Sequence, residues 1–342
     1  MKKAIITGIS GQDGSYLADF LLERDYEVHG FVRRSSVANT KNIDHLLNNK
    51  EINGQKLFLH ECDLSDGINV YYLIKSIQPD EVYNLAAQSH FQVSFDIPVY
   101  TADIVALGAL RILEAIKQVC PQAKYYQAGS SEMFGNAIES PQNESTIFRP
   151  RSPYAYSKVF AHHATFNYRQ VHKIFACNGI AYNHESPRRS GTFVTRKITT
   201  GLFNIANQSQ EKLFLGNLDS KRDWGYSRDY VEAMWLMLQH EEADDYIIAT
   251  GEAHSVRDFV NEAGKQFGLE IEWQGSGLEE KGIDKSSGKI IIEIDENFFR
   301  PSDATLLLGD NSKAKNILRW EPKVKFVGLV KAMCDAEKGI NN

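Results

Sequence analysis

A glycine-rich turn near the start of the chain constrains the fold more than any other feature. The apolar run at residues 4–6 leads into the sequence TGISGQDG at residues 7–14, and a helical pattern follows over Ser15–Arg24. The first glycine permits a tight turn, the second lets backbone approach a pyrophosphate, and the third lets the helix pack closely on the strand. The helix N-terminus then faces the phosphates. The sequence therefore predicts a dinucleotide-binding strand–turn–helix unit.

Strands and helices alternate through the first half of the chain. Short apolar runs predict strands at Leu57–His60, Glu81–Leu85, Tyr125–Ala128 and Ile174–Tyr182, and a longer periodic pattern predicts a helix at Val99–Val119. Strands that alternate with helices are typical of βαβ units. We therefore predict an α/β fold, a Rossmann-type doubly wound parallel sheet.

The end of another predicted strand, Glu27–Val32, distinguishes between two nicotinamide dinucleotides. Arg33, Arg34, Ser35 and Ser36 follow this strand. A NAD-binding protein usually carries an acidic residue there for the ribose 2′-hydroxyl, whereas guanidinium groups bind a 2′-phosphate in a forked geometry. We therefore predict NADP, with a solvated basic loop as the alternative.

Polar and small residues fall where the predicted strands end. Ligands bind doubly wound sheets at the carboxyl ends of the strands. At such an end Asp63 either holds the adenine edge or caps the helix that follows. The residues at these ends are Gly8, Arg33, Asp63, Ala86 and Ser130.

A tyrosine and a lysine four residues apart predict a catalytic pair. Tyr154 and Lys158 share one face of a helix at this spacing. An ammonium beside a phenol favours the phenolate and lowers the tyrosine pKa, so we expect Tyr154 to act as a base. Ser130 and Glu132, at the end of a strand, add a hydroxyl and a carboxylate. A solvated helix face is the alternative, and the gathering of polar residues at strand ends favours catalysis.

Composition excludes several other classes of protein. The chain has 342 residues and a net charge of −6, which argues against a general nucleic-acid or membrane-surface binder. Its four cysteines, none of them in a CxxC pair, indicate neither a zinc site nor a disulfide framework, and they fit a reducing cytosol. The turn at Gly8 interrupts the N-terminal apolar run too early for a signal peptide, and no stretch reaches membrane-spanning length. We expect a cytoplasmic protein without a metal.

The second half of the chain is less regular. We predict that residues 1–182 form the dinucleotide-binding domain and that residues 183–342 form mainly a smaller substrate-binding lobe, with some segments returning to the sheet. Helices are predicted at Asp258–Phe267 and Lys313–Ile317, and a mobile surface loop is predicted at Gly275–Gly288.

With these residues in place, the chain resembles the extended short-chain dehydrogenase/reductase family, and within it the GDP-mannose 4,6-dehydratases, over nearly its whole length. The glycine turn and the Tyr154–Lys158 pair are its general motifs. More specific are RRSS at 33–36, NLAAQSH at 84–90, NHESPRR at 183–189, LGNLD at 215–219 and KRDWG at 221–225.

The chain departs from the family pattern at a few positions. Ser130 stands where a threonine is common, so the hydroxyl is retained. Tyr156 and Ser157 replace smaller residues, and Ser190 stands where a glycine is common. These departures leave the reaction in place and bear only on the selectivity for the sugar.

The resemblance implies two sets of binding residues and an assembly. NADP would be held by Gly8, Ile9, Ser10, Gly11, Gln12, Asp13, Arg33, Arg34, Ser35, Ser36, Asp63, Leu64, Leu85, Ala86, Ala87, Gln88, Ser89, Tyr100, Lys158, His184 and Arg189. GDP-mannose would be held by Ser89, Glu132, Tyr154, Asn183, Lys197, Arg222 and Arg300. For the three basic residues among these, a scatter of surface charge is the alternative. The resemblance also implies a homotetramer in which the loop after Arg34 reaches a neighbour's cofactor site.

The implied reaction converts GDP-D-mannose to GDP-4-dehydro-6-deoxy-D-mannose and water by internal hydride transfer. Tyr154, assisted by Lys158 and Ser130, would take the proton of the 4-hydroxyl. Glu132 would take the C5 proton and protonate the departing hydroxide.

Three alternatives stay open at this point. A nucleotide-sugar 4-epimerase or 4-keto reductase of the same fold needs no carboxylate at Glu132. A non-catalytic NADP sensor would be free to lose Tyr154 or Lys158. A GDP-heptose dehydratase would share every motif.

Overall fold

A seven-stranded parallel sheet forms the centre of the protein. The computed structural model describes residues 1–35, 39–298 and 306–340. Its strands are β1 (Lys3–Thr7), β2 (Glu27–Val32), β3 (Leu57–Glu61), β4 (Glu81–Asn84), β5 (Lys124–Ala128), β6 (Ala176–Ala181), β7 (Asn183–Glu185), β8 (Leu213–Leu215), β9 (Lys221–Tyr226), β10 (Asp245–Ile248), β11 (Ala253–Ser255), β12 (Ile271–Gln274), β13 (Lys281–Asp284) and β14 (Ile290–Ile294). The central sheet has the order β10-β6-β5-β4-β1-β2-β3, with every pair parallel. The predicted doubly wound fold is confirmed.

Helices cover both faces of this sheet, and others pack within a smaller lobe. They are α1 (Gln12–Leu22), α2 (Asp44–Leu47), α3 (Gly67–Ile77), α4 (Phe91–Asp96), α5 (Pro98–Ala102), α6 (Gly108–Val119), α7 (Pro153–His172), α8 (Val194–Ala206), α9 (Ser227–Gln239), α10 (Val256–Gln266) and α11 (Phe326–Glu337). A π-helical turn at Asp103–Leu107 joins α5 to α6, so the predicted helix at Val99–Val119 is confirmed as one helical stretch. No helix in the described ranges combines the length and apolarity needed to cross a bilayer.

The alternation of side chains along each strand divides the core into two layers. Successive side chains of a strand point to opposite faces of a sheet. Ile6 accordingly packs with Leu17 of α1 and Met234 of α9. Its neighbour Ile5 packs on the other face with Ile112 of α6. Both faces of the sheet are therefore buried, as parallel sheets require.

The second half of the chain divides between the central sheet and a smaller lobe. β10 pairs with β6 and extends the central sheet, as the prediction of returning segments requires. The lobe contains the sheets β11-β9-β7 and β12-β13-β14-β8, whose apolar faces pack against α8, α10 and α11. The division of the chain at residue 182 stays a prediction.

Two expectations for the second half need correction. The segment Gly275–Gly288, predicted to be a mobile loop, contains β13, which pairs with both β12 and β14. Gly282 lies within β13, and the other glycines and the serines of the segment lie outside the strand. This composition obscured the short strand in the sequence. The predicted helix at Lys313–Ile317 is a π-helical turn at Ala314–Leu318.

The first helix lies unusually close to the first strand because Gly14 has no side chain. A Cβ atom there would lie 2.3 Å from the Gly8 carbonyl oxygen and 2.7 Å from the Ile9 Cα. Both contacts are with backbone, so neither can move without shifting β1 or α1.

We expect Gly14→Ala to destabilise the protein by about 1–3 kcal/mol, the range typical of overpacking. Thermal unfolding of the purified variant measures this loss. Gly67→Ala is the matched control in another first helical turn, because its Cβ would lie 3.4 Å from the nearest side-chain atom. Equal midpoints for Gly14→Ala and wild type would contradict the close approach described here.

Candidate active site

The order of the strands reverses between β1 and β4, and a single threonine holds their carboxyl ends together. The Thr7 hydroxyl donates to Asn84 Oδ1 at 2.8 Å. It accepts from the backbone N–H groups of Leu85 and Ala86, each at 3.0 Å. Sequence reasoning missed Thr7, although its position before Gly8 was a signal. Crevices at such reversals are where open α/β sheets bind ligands.

The glycine turn fits the diphosphate of a dinucleotide. Gly8 has φ +70°, and a Cβ there would lie 3.0 Å from the Ala86 Cα. Gly11 is the N-cap of α1 and has no side chain, so the first amides of the helix are left for an anionic ligand. Ile9 is fully buried, which leaves only its backbone to face a cofactor.

The predicted 2′-phosphate residues lie at the surface beyond β2. Arg33 and Arg34 are exposed. Arg33 donates a short hydrogen bond to the Tyr100 hydroxyl, so the structure brings two predicted cofactor residues together. Arg34 lies 4.0 Å from a Glu61 carboxylate oxygen. Ser35 is exposed as well, whereas Ser36 lies outside the described residues, as does much of the loop predicted to reach a neighbour.

Asp63 shapes a turn and does not cap the next helix. Its carboxylate accepts from the Ser65 backbone N–H at 2.9 Å and from the Ser65 hydroxyl at 2.8 Å. Asp66 caps α3 instead, by accepting from the N–H groups of residues 68 and 69. The capping alternative for Asp63 was therefore wrong. Leu64 is 4% exposed, so only its backbone is free to face a ligand.

The segment after β4 presents small and polar groups. Ala86 and Ala87 are half-buried, and Ser89 is exposed. Gln88 donates to the His90 carbonyl at 3.3 Å and accepts from the Thr101 hydroxyl at 3.3 Å. Its side chain therefore braces the segment.

The catalytic pair is placed by the start of α7. Ser152 caps this helix by accepting from the Ala155 N–H at 3.1 Å, and a proline follows at its first position. Tyr154 then lies in the first turn and Lys158 one turn later. The Lys158 ammonium lies 5.6 Å from the centre of the Tyr154 ring, as the spacing predicts.

The end of β5 supplies the other two predicted groups. Ser130 Oγ accepts from the Glu132 backbone N–H at 3.2 Å, which begins a short 3-10 turn at Ser131–Met133. The Ser130 side chain hydrogen-bonds to the Tyr154 phenol, and the Glu132 charge acts on the same phenol. A hydroxyl, a carboxylate, a phenol and an ammonium thus meet at one strand end.

The pKa of Tyr154 differs from our expectation. Burial raises it to about 12, against a hydrogen bond with Ser130 that lowers it, and the Glu132 charge raises it further. Burial is the largest cause of this shift and opposes the lowering that we predicted from Lys158, whose ammonium donates to the Ala128 carbonyl at 2.7 Å. Burial in turn lowers the pKa of Lys158 to about 8. The sequence predicts the spacing of the two residues, but it does not predict the burial that shifts both of their pKa values.

The segment 183–189 lies against the glycine turn. His184 Nε2 lies 2.8 Å from an Asp13 carboxylate oxygen. Gln12 donates to the His184 carbonyl at 3.0 Å. Arg189 lies 3.2 Å from a Glu185 carboxylate oxygen. Four residues of the predicted cofactor shell thus contact one another or the same segment.

A separate pocket of about 390 Å³ is lined by one of the predicted substrate residues. Lys197 lines it together with Thr200, Asp295 and Phe298, and the Lys197 ammonium lies 3.6 Å from the centre of the Phe298 ring. Sequence reasoning found Lys197 alone, because the pocket joins α8 to the segment after β14.

The remaining predicted substrate residues are less closely grouped. Asn183 begins β7 and is half-buried. Arg222 donates to the Lys221 carbonyl at 2.8 Å and is not among the described residues that line the pocket. Arg300 lies outside the described residues. The described residues contain no cluster of three or more potential metal ligands.

A family model described as GDP-mannose 4,6 dehydratase matches residues 5–333. The chain belongs to this family. It is 52% identical to the GDP-mannose 4,6 dehydratase of Drosophila melanogaster, with 98% of this chain and 86% of that one covered. It is 49% identical to the Homo sapiens protein of the same name, with coverage of 98% and 91%.

Solved structures share the fold of this dehydratase-family chain at much lower identity. The dTDP-glucose 4,6-dehydratase of Bacillus anthracis, solved with NAD, matches with a TM-score of 0.81 and 19% identity, over 99% of this chain and 97% of that one. The UDP-glucose 4-epimerase of Thermotoga maritima, solved with UDP-glucose, matches with a TM-score of 0.81 and 20% identity, over 98% and 99%. These likenesses establish the fold.

We expect Lys158→Met to abolish activity and to stabilise the protein without ligand by on the order of 2 kcal/mol at pH 7. Lys158 is 4% exposed, and its pKa falls from 10.5 in the unfolded chain to about 8 on folding. Below pH 8 the folded state therefore carries a desolvated charge.

Thermal unfolding from pH 7 to pH 10.5 checks this expectation. As the pH rises through 8, the folded state loses the proton that the unfolded state keeps, so wild type gains stability. The difference between wild type and variant should shrink over this interval. A constant difference would show that the burial of the charge is not its cause.

Proposed function

We propose that the protein is a GDP-mannose 4,6-dehydratase that uses NADP and forms GDP-4-dehydro-6-deoxy-D-mannose and water. The observation that carries the proposal is the placement of Glu132 in the same site as Ser130, Tyr154 and Lys158. A reductase or an epimerase needs the phenol and the hydroxyl, whereas the elimination of water also needs a base at C5. Family membership and the names of the relatives support this choice.

The cofactor proposal rests on residues at three strand ends. The glycine turn after β1 would hold the diphosphate, Arg33 and Arg34 after β2 the 2′-phosphate, and the small residues after β4 the nicotinamide half. When bound, NADP⁺ would supply a hydride acceptor at C4 of the sugar and, once reduced, a donor at C6.

Tyr154 takes the proton of the sugar 4-hydroxyl in this proposal. The Ser130 hydroxyl hydrogen-bonds to the phenol and orients it towards the substrate oxygen. Lys158 donates to the Ala128 carbonyl at 2.7 Å. This contact holds its positive charge 5.6 Å from the centre of the Tyr154 ring. A positioned acid or base contributes a factor of roughly 10²–10⁴ to such a step.

Glu132 acts after the 4-ketone has formed. The ketone acidifies the C5 proton, so a carboxylate is then a sufficient base. Glu132 removes that proton and passes it to the hydroxide that leaves C6, which departs as water. When the hydride returns to C6, C5 takes up one proton, which balances the proton that Tyr154 removed from the 4-hydroxyl. The 3-10 turn that follows β5, held by the hydrogen bond from the Glu132 N–H to Ser130 at 3.2 Å, keeps base and phenol in one site.

We infer that the pocket of about 390 Å³ receives the nucleotide portion of the substrate. Lys197 supplies a cation, and Phe298 offers an aromatic ring beside it. Burial lowers the pKa of Lys197, whereas the charge of Asp295 raises it, so a bound anionic group would further favour the charged ammonium. We place Arg222 and Arg300 with Lys197 on the diphosphate because the resemblance to the family implies these residues, and Arg222 lies in the matching motif at 221–225.

Mass spectrometry of the purified protein incubated with GDP-mannose tests the function. Loss of one water from the nucleotide sugar is the expected result. A new isomer of unchanged mass, separated from the substrate by chromatography, would indicate a 4-epimerase. No conversion would indicate a 4-keto reductase, because GDP-mannose has no ketone to reduce. A parallel incubation with a GDP-heptose tests the selectivity for the sugar.

We expect Tyr154→Phe and Glu132→Gln to stop the reaction at different stages. Tyr154→Phe should block oxidation at C4 and everything that follows. Glu132→Gln keeps the shape of the side chain but removes the base, so oxidation at C4 should continue while product formation falls by about 10²–10⁴.

A single-turnover experiment separates these two outcomes. Reduced-nicotinamide absorbance should accumulate with Glu132→Gln and be missing with Tyr154→Phe. Exchange of solvent deuterium into C5 should fall in both variants. Glu139→Gln is a control, because Glu139 lies in the loop after this site and is exposed. Product formation at near wild-type rate by Glu132→Gln would refute the role of Glu132.

We expect Arg33→Ala to weaken binding of NADP selectively. A charge-assisted hydrogen bond to a phosphate is worth about 1.5–3 kcal/mol, so the dissociation constant for NADPH should rise about tenfold or more. Fluorescence titrations with NADPH and NADH measure the two affinities, and NADH is the internal control because it lacks the 2′-phosphate. Equal losses for both would exclude Arg33 from the 2′-phosphate site.

We also propose a cytosolic homo-oligomer, with a tetramer as the expected state. Tyr156, Phe160 and Val171 are exposed at helical spacing along α7, and Val99, which is 82% exposed, lies on the neighbouring helix α5. Exposed apolar groups on adjacent elements favour burial against another subunit. All four cysteines are free and buried, in keeping with a reducing compartment.

A further inference from the structure

The most densely connected polar group beside the glycine turn is the pair formed by Asp13 and His184. His184 Nε2 lies 2.8 Å from Asp13 Oδ2, and the two side chains are 14% and 23% exposed. The other carboxylate oxygen, Asp13 Oδ1, accepts from the Ser227 hydroxyl at 2.7 Å. The His184 ring also stacks on Tyr230, with ring centres 4.6 Å apart.

The partners of His184 determine its protonation state. Its Nδ1 lies 2.6 Å from the Tyr182 carbonyl oxygen, which can only accept. Its Nε2 faces a carboxylate. Both ring nitrogens therefore carry a proton, and the ring is an imidazolium cation beside a carboxylate. The Asp13 charge raises the pKa of His184, and His184 lowers the pKa of Asp13.

This ion pair connects three segments that are distant in sequence. Asp13 lies in the first turn of α1, His184 lies in β7, and Ser227 begins α9. The same junction contains two further bonds, from Gln12 to the His184 carbonyl at 3.0 Å and from Ser186 to Gln12 Oε1 at 2.8 Å.

We propose that Asp13 and His184 are a positioning pair, whose contact fixes the glycine turn to the segment 183–189 and so keeps the dinucleotide bound between turnovers. The inference rests on the proposed function in one respect, that the turn binds a dinucleotide. It replaces the expectation that each side chain touches the cofactor independently.

The physical reason is the composition of the turn itself. Three of the eight residues in the turn at 7–14 are glycines, which have no side chains to anchor them, and the side chain of Ile9 points into the core. The Thr7 side chain fixes the start of the turn to the end of β4. The side chains of Gln12 and Asp13 are therefore the main means of fixing the end of the turn to the segment 183–189. Breaking the ion pair leaves one charge desolvated without its partner. This loosens the contact between the glycine turn and the segment 183–189 and so should speed the release of a ligand held by the turn.

A double-mutant cycle on the rate of dinucleotide release tests the proposal. NADPH is released from the purified, loaded protein by excess NADP⁺, and nicotinamide fluorescence follows the release without any sugar substrate. If the protein binds NADH more tightly, NADH replaces NADPH. The variants are Asp13→Asn, His184→Gln and the double substitution, and thermal unfolding is measured for each.

Asp19→Asn is the matched control. Asp19 also lies on α1 and pairs with the segment 183–189, through Arg188 at 2.8 Å, and both side chains are 19% exposed. This ion pair is as buried as the first but lies two helical turns away from the glycine turn. A purely structural role for such pairs would give Asp19→Asn and Asp13→Asn similar effects on release.

We expect each substitution in the pair to speed release about tenfold or more, and the double variant to match the singles. Asp19→Asn should lower the unfolding midpoint without speeding release. Additive effects of the two single substitutions would show independent contacts with the cofactor and overturn the proposal. Unchanged release, or equal acceleration by Asp19→Asn, would also overturn it. Should Asp13→Asn fail to fold, His184→Gln against Asp19→Asn decides the question alone.

Discussion

Lys158 is an almost fully buried cation, and the arrangement of the catalytic groups depends on how it is held. Its ammonium donates to the Ala128 carbonyl at 2.7 Å, at the last residue of β5. One hydrogen bond does not compensate for the loss of water around a charge. The surrounding fold therefore has to supply the stability, through the N-cap of α7 and the pairing of β5 with both of its neighbours. The same contact ties α7 to the strand end that carries Ser130 and Glu132.

A row of buried polar side chains lies directly beneath this site. Thr7, Asn84 and Gln127 occupy paired positions on β1, β4 and β5. Asn84 donates to Gln127 Oε1 at 2.9 Å, and Thr7 donates to Asn84 Oδ1 at 2.8 Å. Tyr125 closes the row by donating to Gln127 Oε1 at 2.5 Å. Unpaired polar groups in a core are costly, so the hydrogen bonds of this row favour one register of β1, β4 and β5. That register determines which residues line the base of the crevice.

The features predicted correctly from the sequence are those determined by local chemistry. β2 begins and ends where the apolar run predicted, and the Tyr154–Lys158 spacing placed both side chains on one helix. The features that the sequence did not predict depend on burial or on contacts with residues distant in sequence. The Tyr154 pKa depends on desolvation, which spacing does not encode. β13 is stabilised by two neighbouring strands across glycine-rich turns. The Asp13–His184 contact joins residues 171 positions apart, and only the fold brings them together.

The raised pKa of Tyr154 has a consequence for the direction of proton transfer. Without a ligand, burial and the negative charge of Glu132 both favour the neutral phenol, whereas Arg189 favours the phenolate. Additional positive charge near the phenol would therefore make Tyr154 a stronger base. In the proposed reaction, an oxidised nicotinamide ring bound beside the phenol would carry such a charge, and a reduced ring would not. Tyr154 would then accept a proton while the cofactor is oxidised and keep it while the cofactor is reduced. The burial that raises the pKa of Tyr154 would in this way couple the protonation of the phenol to the redox state of the cofactor.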